Sequence, residues 1–134
     1  MGLNYFFDSY ALFALMKGDP NYALYGEHPI VMTVFNLVEF YFCALRDFGE
    51  AQAKALYAKV QDCIVEIPED VVFEAMSLRL KEKKKRLSYA DCVGYCYARK
   101  NNLVFLTGDT AFEKMAGVEF VREAESGPQM HRSN

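Results

Sequence analysis

The sequence has 134 residues, of which 52% are hydrophobic and 25% are charged. This is about the length of one domain, and the apolar content is enough for one core, so a disordered chain, a collagen and a coiled coil are excluded. The formal net charge of −3, from 15 basic and 18 acidic residues, argues against a broad basic surface for nucleic acid.

The N-terminal residues and the most apolar stretch indicate neither export nor membrane insertion. No basic region followed by a cleavage site begins the sequence, so we predict no signal peptide. The most apolar stretch, residues 30–45, contains Glu39 and is too short to span a bilayer. We therefore expect a soluble cytoplasmic protein that does not contact a membrane.

The cysteines lack the paired spacing of a zinc knuckle, and neither histidine is near them in the sequence, so a structural zinc site is not predicted. They are Cys43, Cys63, Cys92 and Cys96. We expect reduced, mostly buried thiols, although the sequence alone leaves a disulfide open.

The first half of the chain is predicted to begin with a strand and to continue mostly as helices. Its predicted elements are a strand (3–7), a helix (9–16), a loop (21–29) and two further helices (30–48 and 50–61). Residues 3–7 are a short aromatic run that ends at Asp8, whereas Gly49 is a typical helix end between the last two helices.

In the second half, strands and helices are predicted to alternate. The predicted elements are strands at 63–67, 103–106 and 118–121, and helices at 69–85, 88–102 and 109–115. Strands that alternate with helices predict an α/β fold with a parallel sheet between helical layers, in which ligands gather at the carboxyl ends of the strands. We predict one domain over residues 1–123 and a flexible tail over 124–134.

Four acidic residues are placed where such a sheet would expose them. Asp8 and Asp109 follow predicted strands, and Asp91 lies three residues after Ser88 in a capping-box pattern. Each of these aspartates is equally well explained as a helix cap. Glu39 is less easily explained, because it is the only charged residue between positions 30 and 45, and a buried unpaired carboxylate costs several kcal/mol.

Together the four acids predict a cation site, although Glu39 could also belong to a narrow polar stripe on its helix. Carboxylates that share one cavity repel one another unless a divalent cation neutralises them. Oxygen ligands favour a hard ion, so Mg²⁺ or Mn²⁺ is expected. Without these four acids, the chain has 14 acidic and 15 basic residues, so its acidity is largely local.

The order of these motifs resembles that of PIN-domain nucleases, and the short length is similar to that of VapC-type toxins. The matching blocks are Phe7-Asp8-Ser9, Glu39 in a long helix, Leu87-Ser88-Tyr89-Ala90-Asp91 and Leu106-Thr107-Gly108-Asp109-Thr110-Ala111-Phe112. The resemblance covers residues 3 to about 121 and implies a three-layer α/β sandwich with a short central parallel sheet flanked by helices.

The resemblance further implies a metal-dependent endoribonuclease that hydrolyses RNA phosphodiester bonds. It implies that Mg²⁺ or Mn²⁺ is bound by Asp8, Glu39, Asp91 and Asp109, with Thr107 positioning a ligand or water. It also implies a homodimer and a small protein antitoxin, for which the apolar segment 30–45 is a candidate contact surface. The sequence departs from the pattern at Ser9-Tyr10, where such toxins often have Thr-Asn, and at Gly108, where many have Asn.

A basic run precedes Asp91 and is a candidate for RNA contact. Glu82 is the only acidic residue within this run. The six basic residues of the run are Arg79, Lys81, Lys83, Lys84, Lys85 and Arg86. We expect the last four to contact RNA phosphates, although a solvated helix end explains such a run about as well. Tyr22, Tyr25 and Tyr89 could stack on bases, but none of them is assigned to RNA, because aromatic residues at this density are usually core or interface.

Three alternatives to a PIN-domain nuclease fit parts of this pattern. A receiver domain needs an acidic pair after the first strand, and a haloacid-dehalogenase-like phosphatase needs an acid at position 10, where Tyr10 stands. A PIN fold that binds or regulates without catalysis stays the main alternative, although the complete set of four acids argues against it.

Overall fold

Three short parallel strands form the centre of the fold. The computed structural model describes residues 3–125, and its sheet has the order β1-β2-β3. The strands are β1 (Tyr5–Phe7), β2 (Val104–Thr107) and β3 (Val118–Phe120). Tyr5 pairs with Val104 and Phe105 pairs with Val118, both in parallel register. All three strands therefore point their carboxyl ends to the same edge of the sheet.

Five α-helices connect or flank these strands within the described residues. They are α1 (Ser9–Met16), α2 (Val34–Phe48), α3 (Glu50–Val60), α4 (Glu69–Lys81) and α5 (Tyr89–Lys100). Short 3₁₀ helices occupy Pro20–Glu27, Gln61–Cys63, Lys83–Lys85 and Thr110–Phe112. The predicted α/β fold with a central parallel sheet is confirmed.

The alternation of side chains along β1 explains the three layers. Phe6 faces α5, because a Cβ added to Gly94 would lie 2.7 Å from Phe6 Cε1, and Phe105 stacks beside Phe6 on the same face. Tyr5 points to the other face, where its ring meets Tyr25 edge-on at 5.3 Å. Both faces of the sheet are thus covered, and the core lies on either side of it.

The predicted strand at 63–67 is wrong as a regular strand. Only Ile64 forms a β-bridge, to Met32, and the predicted helix at 30–48 begins later, at Val34, because Met32 is extended and Thr33 is the N-cap. The Phe7 N–H donates to the Val31 carbonyl at 2.9 Å, on the edge of β1 away from β2. These residues extend the sheet by single bridges only, because each extended segment is cut short by a helix.

After β3 the chain returns across the carboxyl edge of the sheet. The Tyr22 hydroxyl donates to the Val121 carbonyl at 2.6 Å, and the Ala124 N–H donates to the Asp19 carboxylate at 2.9 Å. Most of the tail predicted at 124–134 lies outside the described residues. None of the helices within residues 3–125 is long and apolar enough to cross a membrane.

Candidate functional site

Three of the predicted acids begin helices at the carboxyl edge of the sheet, and each accepts a capping hydrogen bond. Asp8 Oδ1 accepts from the Ala11 N–H at 2.8 Å, and Asp109 Oδ1 accepts from the Ala111 N–H at 2.9 Å. Asp91 Oδ2 accepts from the N–H of Ser88 at 2.8 Å in a complete capping box. All three aspartates therefore act as helix caps, as the sequence allowed. Each capping hydrogen bond involves only one of the two carboxylate oxygens.

Thr107, the last residue of β2, connects two of the acids. Its hydroxyl oxygen accepts from the Asp109 N–H at 3.0 Å, and its interaction with Asp8 lowers the pKa of that carboxyl against the effect of burial. Thr107 is fully buried, so this bridge is shielded from water. The threonine thus fixes the relative position of the two strand ends that bear Asp8 and Asp109.

Glu39 is held by a side-chain relay from α1 and α2 that the sequence did not reveal. The Ser9 hydroxyl donates to Glu39 Oε1 at 2.6 Å, and Asn36 Nδ2 donates to Ser9 Oγ at 3.3 Å. Asn36 is itself buried, and its Oδ1 accepts from both the N–H and the hydroxyl of Thr33. Asn36 and Glu39 are three residues apart, so the sequence predicts that they share one face of the helix. The sequence does not predict that Ser9 connects them.

Burial and mutual repulsion couple the carboxylates electrostatically. Burial raises the pKa of Asp8 to about 7; hydrogen bonds from Thr107 and Ala11 oppose this shift, and the charges of Asp91 and Asp109 add to it. Burial also raises the pKa of Asp91, with further contributions from Asp109 and Glu39. The acids therefore share one electrostatic environment, and no basic side chain is among the main causes of either pKa shift.

This donor set fits a hard divalent cation. The hydrogen bonds within residues 3–125 leave the second oxygen of Glu39, Asp91 and Asp109 available. A cation would relieve the repulsion among the carboxylates, which adds to the effect of burial on the pKa of Asp8. Across that same part of the chain, no group of at least three Asp, Glu, His or Cys side chains is placed so that it could hold a metal ion. An ion bound here would therefore have one or two carboxylate ligands and water at its other positions, as Mg²⁺ often does.

The two departures from the nuclease pattern contact each other beside the acids. A Cβ added to Gly108 would overlap the ring of Tyr10 and would lie 2.6 Å from the Val121 carbonyl oxygen. The Tyr10 hydroxyl also accepts from the Glu123 N–H at 3.1 Å. Tyr10 therefore occupies the space that a side chain at position 108 would need.

An apolar groove of about 750 Å³ runs between α1 and α2 and shares Ser9 and Glu39 with the acidic site. Val38 and Phe42, on its α2 side, are 63% and 62% exposed. Lys17 and Arg46 are its basic lining residues. The predicted contact surface in segment 30–45 is thus an exposed apolar face that leads directly to the acids.

The basic run surrounds a second, smaller cavity at the turn between α4 and α5. Arg79, Lys83 and Arg86, together with the buried Leu87, line this cavity of about 220 Å³. The other two predicted RNA contacts, Lys84 and Lys85, are exposed in the same turn but do not line it. The predicted RNA contacts are therefore separated into a converging group and an outward-facing pair.

The aromatic and cysteine candidates have distinct environments. Tyr22 is fully buried, whereas Tyr89 is 56% exposed, and the Tyr25 hydroxyl donates to Glu119. All four cysteines are free, and Cys92 is buried. Of the three tyrosines considered for base stacking, Tyr89 is thus the one with an open ring.

Comparisons with known proteins agree with this geometry. The family profile described as PIN domain matches residues 5–118. Structures similar in fold include the sarcin-ricin loop cleaving toxin VapC20 from Mycobacterium tuberculosis, with a TM-score of 0.72 and 19% identity over 88% of this chain and 99% of that chain. No curated protein sequence matches this one.

Two further structures similar in fold contain toxin-antitoxin pairs. A toxin-antitoxin complex from Klebsiella pneumoniae aligns with a TM-score of 0.63 and 19% identity over 87% of this chain and 96% of that chain. VapBC2 from Rickettsia felis, bound to a DNA fragment from its promoter, aligns with a TM-score of 0.67 and 15% identity over 91% of this chain and 100% of that chain. At these identities the structural likeness shows a shared fold.

Proposed function

The chain belongs to the PIN domain family, and from this premise we propose that it is a divalent-metal-dependent endoribonuclease, the toxin of a toxin-antitoxin pair. The proposed active site consists of Asp8, Glu39, Asp91 and Asp109, with Thr107 as a positioning residue. The observation that supports it best is the electrostatic coupling of Asp8 to Asp91 and Asp109 in a buried site. Carboxylates that serve only as helix caps would gain nothing from such proximity.

The carboxylates would hold Mg²⁺ or Mn²⁺, directly or through water. When bound, such an ion polarises the phosphodiester and makes water a better nucleophile near neutral pH. The Thr107 hydroxyl accepts from the Asp109 N–H and the Ser9 hydroxyl donates to Glu39 Oε1, so both would keep these acids in place. The chain would thus contribute carboxylates that hydrogen bonds hold in place, and fixed charges of this kind favour metal-assisted hydrolysis.

RNA would approach over the basic turn that precedes α5. Lys83, Lys84, Lys85 and Arg86 are all exposed, and contacts of lysine and arginine to phosphates supply much of the affinity for nucleic acid. Because α5 begins at Tyr89 and contains Asp91 in its first turn, this basic turn lies directly before the acidic site in the chain. RNA bound here could extend to the carboxylates.

The antitoxin would cover the groove between α1 and α2. The groove exposes Val38 and Phe42, and Ser9 and Glu39 line it, so a bound segment would both bury apolar surface and block the acids. The structural neighbours from Klebsiella pneumoniae and Rickettsia felis are complexes of this kind. We further propose that the protein is cytoplasmic and forms a homodimer. Light scattering at tens of micromolar protein would detect the dimer, and a monomer at that concentration would exclude it.

The test of this function is metal-dependent cleavage by the purified chain. Single-stranded and structured RNA are incubated with Mn²⁺, with Mg²⁺ or with EDTA, and the same assay is run on Asp8→Asn and Asp91→Asn. Both substitutions keep a capping oxygen while removing a charge. We expect cleavage with either ion, no cleavage in EDTA, and no cleavage by either variant.

Two outcomes would contradict the proposal. Cleavage that survives in both variants would come from another site or from a contaminating nuclease. If the wild-type chain binds RNA but leaves it intact with both ions, the non-catalytic PIN module is the better explanation. A matched control is Asp62→Asn, which removes an exposed carboxylate in the 3₁₀ helix Gln61–Cys63 and should cleave like the wild type.

A further inference from the structure

The ring of Tyr89 is paired with a guanidinium at the start of α5. The Arg79 guanidinium carbon lies 4.5 Å from the centroid of the Tyr89 ring, and Arg79 Nε donates to the Leu87 carbonyl at 3.1 Å. This fixes Arg79 at one nitrogen, while its terminal nitrogens have no hydrogen bond within residues 3–125. The Tyr89 ring stays 56% exposed, so a flat surface remains open beside a fixed cation.

The same arginine lines a cavity with two other cations. Arg79, Lys83 and Arg86 surround about 220 Å³, and none of them forms a salt bridge within residues 3–125. A water takes about 30 Å³, so the cavity has room for a phosphate group and several waters. Three unpaired cations around such a space are complementary to one phosphate.

The backbone of this turn adopts an uncommon conformation that places the cations. Arg86 has φ 56° and ψ 41°, in the left-handed region that non-glycine residues rarely adopt. Its N–H donates to the Lys83 carbonyl at 3.2 Å, which closes the turn and brings the two residues to the same cavity. Because a left-handed residue is also a common way for a helix to end, this conformation places the cations but does not by itself indicate a ligand.

We propose that Arg79, Lys83 and Arg86 bind one backbone phosphate of the RNA and that Tyr89 stacks on a neighbouring base. This inference rests on the proposed function, because it takes RNA as the ligand. Tyr89 and Asp91 belong to the same helical turn, so a nucleotide held here positions the strand relative to the carboxylates. Tyr89 is therefore a positioning residue that acts on the substrate through a base away from the bond that breaks.

The test measures binding of a short, fluorescein-labelled single-stranded RNA of mixed sequence by fluorescence anisotropy in EDTA, which prevents metal-dependent cleavage. Kd is determined between about 50 and 200 mM salt. The variants that remove a phosphate contact are Lys83→Ala and Arg86→Gly, since glycine tolerates the positive φ. We expect each to weaken binding at least threefold and to reduce the slope of log K against log salt, by at most about 0.7 because both residues contact the same phosphate.

The stacking part of the proposal predicts a different signature. Tyr89→Ala should weaken binding about tenfold without changing the salt slope, because stacking releases no counterions. Tyr89→Phe should bind like the wild type, since it retains the ring. A purely structural role for Tyr89 would not lower the affinity for RNA while leaving the salt slope unchanged. Circular dichroism is used to confirm that each variant is folded.

The control is Lys59→Ala, which removes one exposed charge from α3, outside both cavities. If Lys83→Ala and Arg86→Gly differ from the wild type no more than Lys59→Ala does, the phosphate site is wrong. If Tyr89→Ala binds as tightly as the wild type, the stacking is wrong. Cleavage is not needed for this assay, so a chain that binds through these residues but leaves RNA intact would refute the ribonuclease proposal alone.

Discussion

Two oppositely charged regions meet at the first turn of α5. The acidic region consists of Asp8, Glu39, Asp91 and Asp109, and the basic region consists of Arg79, Lys83, Arg86 and the adjacent Tyr89. The two regions differ most in burial. The acidic region includes Asp8, which is only 3% exposed, whereas Tyr89 in the basic region is 56% exposed. Buried charges interact strongly and change one another's pKa, while exposed charges are screened by water and salt. Under the proposed function, the acidic region would serve the chemical step and the basic region would serve affinity for RNA.

The largest expected effect is a difference in cleavage kinetics between variants of Asp91 and Tyr89, which both lie in the first turn of α5. We expect Asp91→Asn to lower kcat by at least about a hundredfold, because it removes a ligand that stabilises the transition state. Tyr89→Ala should lower kcat far less, by under about tenfold, and raise KM about tenfold, because it mainly weakens binding of the RNA. Steady-state cleavage kinetics with Mn²⁺ measure both. Equal losses of kcat in the two variants would show that the regions do not have separate roles.

The acidic region should also lower the stability of the metal-free protein at neutral pH. The pKa of Asp8 is raised to about 7 in the folded protein, above its value of about 4 in an unfolded chain. The folded state therefore binds more protons between about pH 4 and 7, so the free energy of unfolding should fall as pH rises through that window.

Asp8→Asn tests this destabilisation directly. In EDTA at pH 8 the variant should be about 1 to 3 kcal/mol more stable than the wild type, and at pH 4 the difference should nearly vanish. Urea denaturation at the two pH values measures it, and saturating Mg²⁺ should stabilise the wild type more than the variant. A variant that is less stable at both pH values would contradict the electrostatic account.

The contact between Tyr10 and Gly108 predicts a coupled pair of substitutions next to the acids. Gly108→Asn should destabilise the protein by about 1 to 3 kcal/mol, because the new side chain overlaps the Tyr10 ring. In the double variant with Tyr10→Asn, the loss should be smaller than the sum of the two single losses. A double-mutant cycle by urea denaturation measures the coupling, and strict additivity would show that the two departures are independent.

The smallest effect on stability is expected in the basic turn. Lys84→Ala removes an exposed charge in the 3₁₀ helix Lys83–Lys85, so the free energy of unfolding should change by less than about 0.5 kcal/mol. Its effect on RNA affinity should be smaller than that of Lys83→Ala, because Lys84 does not line the cavity. A large loss of stability would mean that this turn is structurally more important than its exposure indicates.

Much of the acidic site could be predicted because its position depends on local sequence. Asp8 and Asp109 follow apolar strands, and parallel strands bring their carboxyl ends to one edge. Ser88 and Asp91 form a capping box that is readable at three-residue spacing and is present in the structure. Glu39 was evident as one charge within an apolar helix.

The rest depends on tertiary contacts that spacing does not encode. Residues 63–67 have β-branched character, but the Met32 segment that they meet offers only one bridge, so no regular strand forms. Ser9 and Glu39 are far apart in sequence, and their hydrogen bond follows from the packing of α1 on α2. The overlap of the Tyr10 ring with position 108 likewise depends on how the chain folds. The sequence shows only that Ser9-Tyr10 and Gly108 depart from the family pattern.

Binding of a divalent cation in the acidic region can be tested by anomalous diffraction from crystals soaked in Mn²⁺. We expect an anomalous peak at the carboxyl edge of the sheet, bounded by Asp8, Asp91 and Asp109, with waters completing the coordination. Crystals of Asp91→Asn should show a weaker peak or none. Soaked wild-type crystals with no peak there, or with a peak only elsewhere on the surface, would contradict the proposed metal site.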